Sequence, residues 1–160
     1  MRAHSAASGV GTDAGKKLVE IGFAKELQEG EMRKLHIGGG DELLICRVDG
    51  ELHAVGNLCT HEPIPLSKGA LFGDKIICPV HVAAFNVKTG ALDAAPGLDN
   101  LPTFEIIQGE GDDQYFVEVP TEGLSFKVVP PMVKRDPSDT RNFVIVGAGA
   151  AGLTCAETLR

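Results

Sequence analysis

Two short segments constrain this chain more than anything else in it. Cys59-Thr60-His61 is followed, after sixteen intervening residues, by Cys78-Pro79-Val80-His81. Each segment offers one thiolate and one imidazole. Each also lies in a turn, because Pro63 and Pro65 follow the first and Pro79 lies inside the second. A fold that uses both must bring two loops face to face. Such a pair can hold two metal ions, with Cys59 and Cys78 on one iron and His61 and His81 on the other. Two Cys and two His can also bind one structural zinc, although zinc spacings commonly pair Cys with Cys and His with His along the chain.

Short strands surround the two segments. Residues 18–27, 32–37, 42–48 and 51–55 carry apolar residues in the pattern of half-buried strands. Asp49-Gly50 marks a hairpin between the last two. Residues 75–78, 84–87, 103–108 and 114–119 are further short strands, with turns at 88–90 and 109–113. Strands this short, at this spacing, predict an all-β fold, an antiparallel β-sandwich or small barrel.

The charge distribution limits the partners. The chain carries a net −7, and residues 18–120 alone carry −10. That balance argues against a nucleic-acid backbone as partner. It suits docking to a basic protein face, or a solvated acidic surface that only keeps the protein soluble. No apolar run approaches the ~18 residues that span a bilayer, so no transmembrane segment is expected. Residues 1–17 lack the apolar stretch of a signal peptide and read as a disordered tail. The expected location is intracellular, cytoplasmic or mitochondrial. Cys46 sits in an apolar strand and reads as a buried thiol, as does Cys155 on the last helix. His53 reads as a structural or surface histidine, His4 and His36 as solvated.

The pattern changes type after residue 128. Residues 129–141, with Pro130-Pro131 and a charged run, read as a linker. Residues 142–146 form a nearly continuous apolar run, as in a strand buried on both faces. Gly147, Gly149 and Gly152 follow in the order Gly-x-Gly-x-x-Gly and open a helix. In that context the first glycine permits the tight turn. The second lets a pyrophosphate approach the backbone, and the third lets the helix pack close to the strand. The acidic ribose ligand of such a site is due ~20 residues further on, past Arg160. The run Val144 to Gly152 resembles the start of an FAD-dependent oxidoreductase. That resemblance implies that residues 142–160 are the first strand and helix of an α/β Rossmann-type FAD-binding domain, one that does not retain FAD by itself.

Residues 31–120 resemble a Rieske ferredoxin-type domain. The likeness takes in Val55-Gly56-Asn57-Leu58, Pro65-Leu66, Lys68-Gly69, Phe85-Asn86, Thr89-Gly90, Pro96-Gly97 and Leu101-Pro102 as well as both Cys/His pairs. It implies a Rieske domain over residues 18–128 with a [2Fe-2S] cluster on Cys59, His61, Cys78 and His81. Two positions depart from the pattern. Pro63 and Val82 stand where the family usually has glycine; the first has no N–H, and the second resists positive φ. High-potential relatives join their two loops by a disulfide and aim a Ser and a Tyr hydroxyl at the sulfurs. The matching positions here are Ile64 and Val80, and Ala83 and Phe85.

The order of Rieske domain, linker and FAD fingerprint resembles the apoptosis-inducing-factor-like oxidoreductases. It implies a parent enzyme that takes hydride from NAD(P)H onto FAD, with its own flavin domain as electron donor to the cluster. The chain itself is then only an electron carrier, passing electrons to an acceptor of unstated identity with a basic face. A Rieske ferredoxin serving a separate oxygenase and a zinc-stabilised interaction module are the alternatives.

Overall fold

The computed structural model describes residues 15–111, 114–129 and 137–159. Most of the expected tail, His4, part of the 109–113 turn and the middle of the expected linker lie outside the described residues. The described residues form β1 (Lys16–Glu20), β2 (Met32–Gly38), β3 (Asp41–Val48), β4 (Glu51–Gly56), β5 (Ala70–Phe72) and β6 (Lys75–Ile77). They continue with β7 (Ala84–Asn86), β8 (Leu92–Ala94), β9 (Thr103–Phe104), β10 (Ile106–Gln108), β11 (Tyr115–Pro120) and one helix, α1 (Ala150–Thr158). The strands build three antiparallel sheets, in the orders β1-β11-β10, β2-β3-β4-β9 and β5-β6-β7-β8. No helix among the described residues is long and apolar enough to cross a membrane.

β3 is the wall between two cores. Its side chains alternate across the sheet with period two, and Leu43 to Cys46 are all fully buried. Leu44, Cys46 and Val48 join one core with Val55, Leu66, Ile76, Phe85 and Leu101, and this core contains Cys59 and Cys78. Leu43 and Ile45 point the other way, into a core with Ile21, Leu35, Ile37, Val117 and Val119. Burial pushes the Cys46 thiol up to about 12, so it stays protonated and inert.

Several expected elements take a different form. β1 begins at Lys16, inside the stretch assigned to the tail, because Lys16 and Lys17 pair with Pro120 and Val119 of β11. It ends at Glu20 instead of running to residue 27. Ile21, Ala24 and Leu27 are buried at a spacing of three, and the Ala24 and Leu27 N–H groups bond back to the Ile21 and Phe23 carbonyls in helical-type turns. Residues 103–108 split into β9, which pairs with β4, and β10, which pairs with β11, so the chain changes sheets at Glu105. β5 and β8, three residues each, were not expected.

The chain divides into two compact units at residue 129. In the second, the strand expected at 142–146 does not form, and Val144 and Val146 are 89% and 96% exposed. A strand needs a hydrogen-bonding neighbour, and none pairs with it among the described residues. Cys155 is exposed on α1 rather than buried, as are Leu153 and Leu159 on the same segment.

One turn shows how tightly the loop-bearing sheet is set. Gly90 has φ +73°, and a Cβ there would sit 2.3 Å from the Leu101 carbonyl oxygen. Gly90→Ala is expected to cost about 2–4 kcal/mol, from the left-handed backbone and the clash together. Urea unfolding checks this, and a loss under about 0.5 kcal/mol, the range of ordinary surface changes, contradicts it.

Candidate metal centre

The first loop leaves the end of β4 and reaches a short 3-10 turn at Leu66–Lys68; the second joins β6 to β7. Both close in the same way. The Cys59 N–H donates to the Ile64 carbonyl at 2.9 Å, and the Cys78 N–H donates to the Ala83 carbonyl at 2.8 Å. Each closure spans five residues. Each cysteine is thereby held at the neck of its loop and each histidine further out. Cys59 and Cys78 are 1% and 2% exposed, while His61 and His81 are exposed. The two imidazoles meet edge to face with ring centroids 4.9 Å apart.

The electrostatics follow from this layering. Burial raises the Cys59 thiol above its ordinary value. The backbone N–H groups of Glu62 and His61 donate to its sulfur and oppose that shift, while the adjacent Cys78 thiol adds to it. Glu62 and the two histidines place their ligand atoms within 4.8 Å of one another, a group that does not include the sulfurs. One tetrahedral zinc needs all four Cys and His donors around a single point. A buried sulfur pair beneath an exposed imidazole pair instead suits two ions, a soft donor set for one and a borderline set for the other.

The two departures from glycine are accommodated differently. At Pro63 the chain turns through an Ile64 N–H bond to the Glu62 carbonyl at 2.6 Å, and the N–H groups directed at sulfur come from residues before the proline. Val82 takes the glycine-like conformation itself, at φ +56°, with its N–H bonded to the Cys78 carbonyl at 3.2 Å. A β-branched residue held there stores about 1–3 kcal/mol of strain. Val82 is 66% exposed, so little packing is lost on its removal. Val82→Gly is expected to raise stability by about 1 kcal/mol after the added chain entropy of glycine. A melting temperature below that of the parent contradicts it.

Asn57 was not singled out by the residue pattern as a site residue. It is 1% exposed and anchors the first loop. Its amide donates to Glu42 at 2.8 Å, its side-chain oxygen accepts the Ser67 N–H at 2.9 Å, and its carbonyl accepts the Leu66 N–H at 2.7 Å. Its signals in the sequence are its place two residues before Cys59 and its membership of the Val55-Gly56-Asn57-Leu58 stretch of the family likeness. The other described histidines, His36 and His53, do not join the group of ligand atoms formed by His61, Glu62 and His81. His53 has a buried Nε2 with no hydrogen-bond partner among the described residues, and exposed His36 lies 3.1 Å from the Glu42 carboxylate.

In the second unit, Gly147 has φ +108°, and a Cβ at Gly152 would lie 2.1 Å from the Gly147 carbonyl oxygen. The turn into α1 therefore requires glycine at 152, and the Leu153 N–H closes onto the Gly149 carbonyl at 3.0 Å.

An antiparallel β domain that presents a Cys/His pair on each of two facing loops has the build of an iron–sulfur electron carrier. Comparison with known families agrees: residues 17–105, more than half of the chain, match the Rieske [2Fe-2S] domain, and the chain belongs to that family. It is 41% identical over 143 residues to human apoptosis-inducing factor 3, a match that takes in 85% of this chain and 23% of that protein. It is 38% identical over 96 residues to the ferredoxin component of the naphthalene 1,2-dioxygenase system of Pseudomonas aeruginosa, covering 59% of this chain and 91% of that one. Among solved structures, a complex of reduced oxygenase and oxidized ferredoxin in carbazole 1,9a-dioxygenase aligns with a TM-score of 0.58 and 33% identity, over 62% of this chain and 91% of that one. The chain thus spans about a quarter of the apoptosis-inducing factor 3 relatives, at 23%, and nearly all of the ferredoxins.

Proposed function

We propose that Cys59 and Cys78 bind one iron, and His61 and His81 the other, of a [2Fe-2S] cluster that carries electrons for a flavin-dependent NAD(P)H oxidoreductase. The observation that carries the ligand assignment is the layering itself: two adjoining buried thiols with no disulfide, below two exposed imidazoles in contact. When bound, the cluster takes up and gives back one electron. The protein supplies the rest. The buried necks of the loops keep water from the sulfurs, and the His61 and Glu62 N–H groups stabilise negative charge on Cys59. The exposed edges of His61 and His81 offer the partner its closest approach.

The flavin context rests on two supports. The match to human apoptosis-inducing factor 3 takes in 85% of the chain and so extends well past the Rieske segment at 17–105. The ferredoxin match takes in only 59% of the chain, about the share of the Rieske segment at 17–105, and a ferredoxin reading gives Gly147, Gly149 and Gly152 no role. On this reading the Rieske domain expected at 18–128 begins at Lys16, where β1 pairs with β11, 129–141 is the linker, and 142–160 is the start of the FAD-binding domain, whose flavin is the donor. A basic-faced redox protein is the acceptor, attracted by the acidic segment at 18–120.

Iron and acid-labile sulfide analysis tests the ligand assignment, with about two of each expected per chain. Zinc without sulfide overturns it. Adding NAD(P)H to the flavin-loaded parent protein tests the context, with bleaching of the cluster absorption expected. A parent that holds no flavin, or a cluster reduced only by a separate reductase, returns the chain to the ferredoxin reading.

A further inference from the structure

We propose that residues 124–128 form a strap that positions the first metal-binding loop, with Lys127 as a positioning residue; this rests on the assignment of Cys59 and His61 as ligands. The strap lies beyond the matched segment at 17–105, so family membership does not account for it. After β11 the chain stays on the domain. The Leu124 N–H donates to the Asp41 carboxylate at 3.2 Å, and Val128 and Asn100 exchange backbone hydrogen bonds at 2.8 and 2.9 Å. Lys127 Nζ reaches Asp99 Oδ2 at 2.6 Å, and the Ser125 hydroxyl donates to the Lys127 carbonyl at 2.8 Å. Leu124 packs against the second core, whereas Phe126 and Val128 are 44% and 45% exposed, so beyond Leu124 the strap is held chiefly by polar bonds.

What the strap holds is the support of the loop. Thr60 stands between Cys59 and His61, is only 8% exposed, and donates its hydroxyl to the Asp99 carbonyl at 2.7 Å. That bond crosses 39 residues of sequence. Asp99 has a buried neighbour on one side only. Leu101 is 1% exposed, whereas Leu98 is 87% exposed. The Asp99 backbone is therefore fixed from buried Leu101, whose N–H donates to the Gly90 carbonyl, and from Asn100, whose side-chain oxygen accepts the Leu92 N–H at 3.0 Å. On the strap side it is fixed from the Lys127 ion pair and the Val128–Asn100 bridge. Loosening the two strap contacts leaves the Asp99 carbonyl held only from the Asn100 side chain and Leu101, so the acceptor of Thr60 gains freedom, and the backbone that carries both ligands gains it too. A half-exposed ion pair contributes little by itself, so the bridge is tested beside it.

The test uses the full chain with its cluster. Cluster loss is followed by visible absorption in excess iron chelator, and the reduced centre by electron paramagnetic resonance. Lys127→Met, Val128→Pro and Thr60→Val are each expected to speed loss roughly two- to tenfold, the scale of one hydrogen bond, and to shift the resonance in the same direction. The Lys127→Met/Thr60→Val double variant is expected to lose its cluster no faster than the quicker single, because both act along one connection. Lys88→Met, which breaks a comparable pair with Asp49 at 2.6 Å, serves as the control with no shift. Hydrogen exchange of residues 59–62 in metal-free protein reads the strap without iron. Faster exchange in Lys127→Met and Val128→Pro supports it even where the ligand assignment fails. Parent-like exchange in both variants, or additive effects in the double variant, overturns it. A parent chain that holds no iron overturns the ligand assignment and not the strap.

Discussion

Cys59→Ser and Cys78→Ser are each expected to abolish the cluster and to leave a colourless protein with less than about a tenth of the parent iron. A hydroxyl keeps its proton at neutral pH and is a poor ligand for iron, whereas a thiolate is a good one. Both sulfurs are buried in one core with Leu66, Ile76 and Phe85. The serine hydroxyl would therefore also be stranded among apolar side chains once the metal is gone. Metal binding and folding are coupled at such a site, so a stability loss above about 3 kcal/mol is expected, the scale that accompanies loss of a metal. Iron analysis and urea unfolding read the two effects separately. A brown Cys78→Ser protein of parent stability would remove the ligand assignment. His61→Ala and His81→Ala are expected to lose the cluster with a smaller loss of stability, since both rings are exposed.

The midpoint potential is expected near the low end of the Rieske range, at about −150 mV or somewhat below. Two ferric ions, two sulfides, two thiolates and two neutral imidazoles sum to about zero charge, against about −2 for a four-thiolate cluster. That difference places Rieske centres above plant-type ferredoxins. Within the range, donors to the sulfurs decide. Ile64 and Val80 stand at the positions where a loop-bridging disulfide would lie, and the described cysteines are all free. Ala83 and Phe85 are fully buried and have no hydroxyl to donate. The His61 and Glu62 N–H groups lower the Cys59 thiol and so favour its thiolate, but they are backbone donors and add no hydroxyl. A low value suits electron acceptance from a flavin reduced by NAD(P)H. Protein-film voltammetry at pH 7 reads it, and a midpoint above about +100 mV refutes it. Ala83→Ser with Phe85→Tyr is expected to raise the midpoint by roughly 60 mV or more, the one-electron equivalent of a charge-assisted hydrogen bond. An unmoved midpoint shows that these positions do not tune the centre.

The parts of the fold that the sequence announces are those whose signal is local. β2, β3 and β4 follow from apolar residues in strand spacing and from Asp49-Gly50, and they lie within one or two residues of the expected bounds. β5 and β8 are too short to show a period and exist only because β6 and β7 pair with them. Residues 142–146 look like a strand by composition, but composition supplies no partner. The Cys/His segments were legible because metal-ligand chemistry restricts residue type and spacing together. The conformation of Val82 was not legible, since β-branched residues favour extended backbone. It is set by the closure of the loop, in which the Cys78 N–H and the Val82 N–H are both used. The anchors at Asn57 and Thr60 reach partners 10 to 39 residues away, and nothing local marks such distances.

The double-faced β3 bears on how the protein matures. One core holds the thiols and the other, with Ile21, Leu35 and Val117, holds no group that waits for iron. A newly made chain can therefore assemble the metal-independent half first and keep the loop-bearing half ajar while iron and sulfide are delivered. Hydrogen exchange of the metal-free protein reads this order directly: the Val117 and Val119 amides stay protected while the Cys78 and Ala83 region exchanges freely. Equal protection on both sides of β3 shows instead that the halves close together.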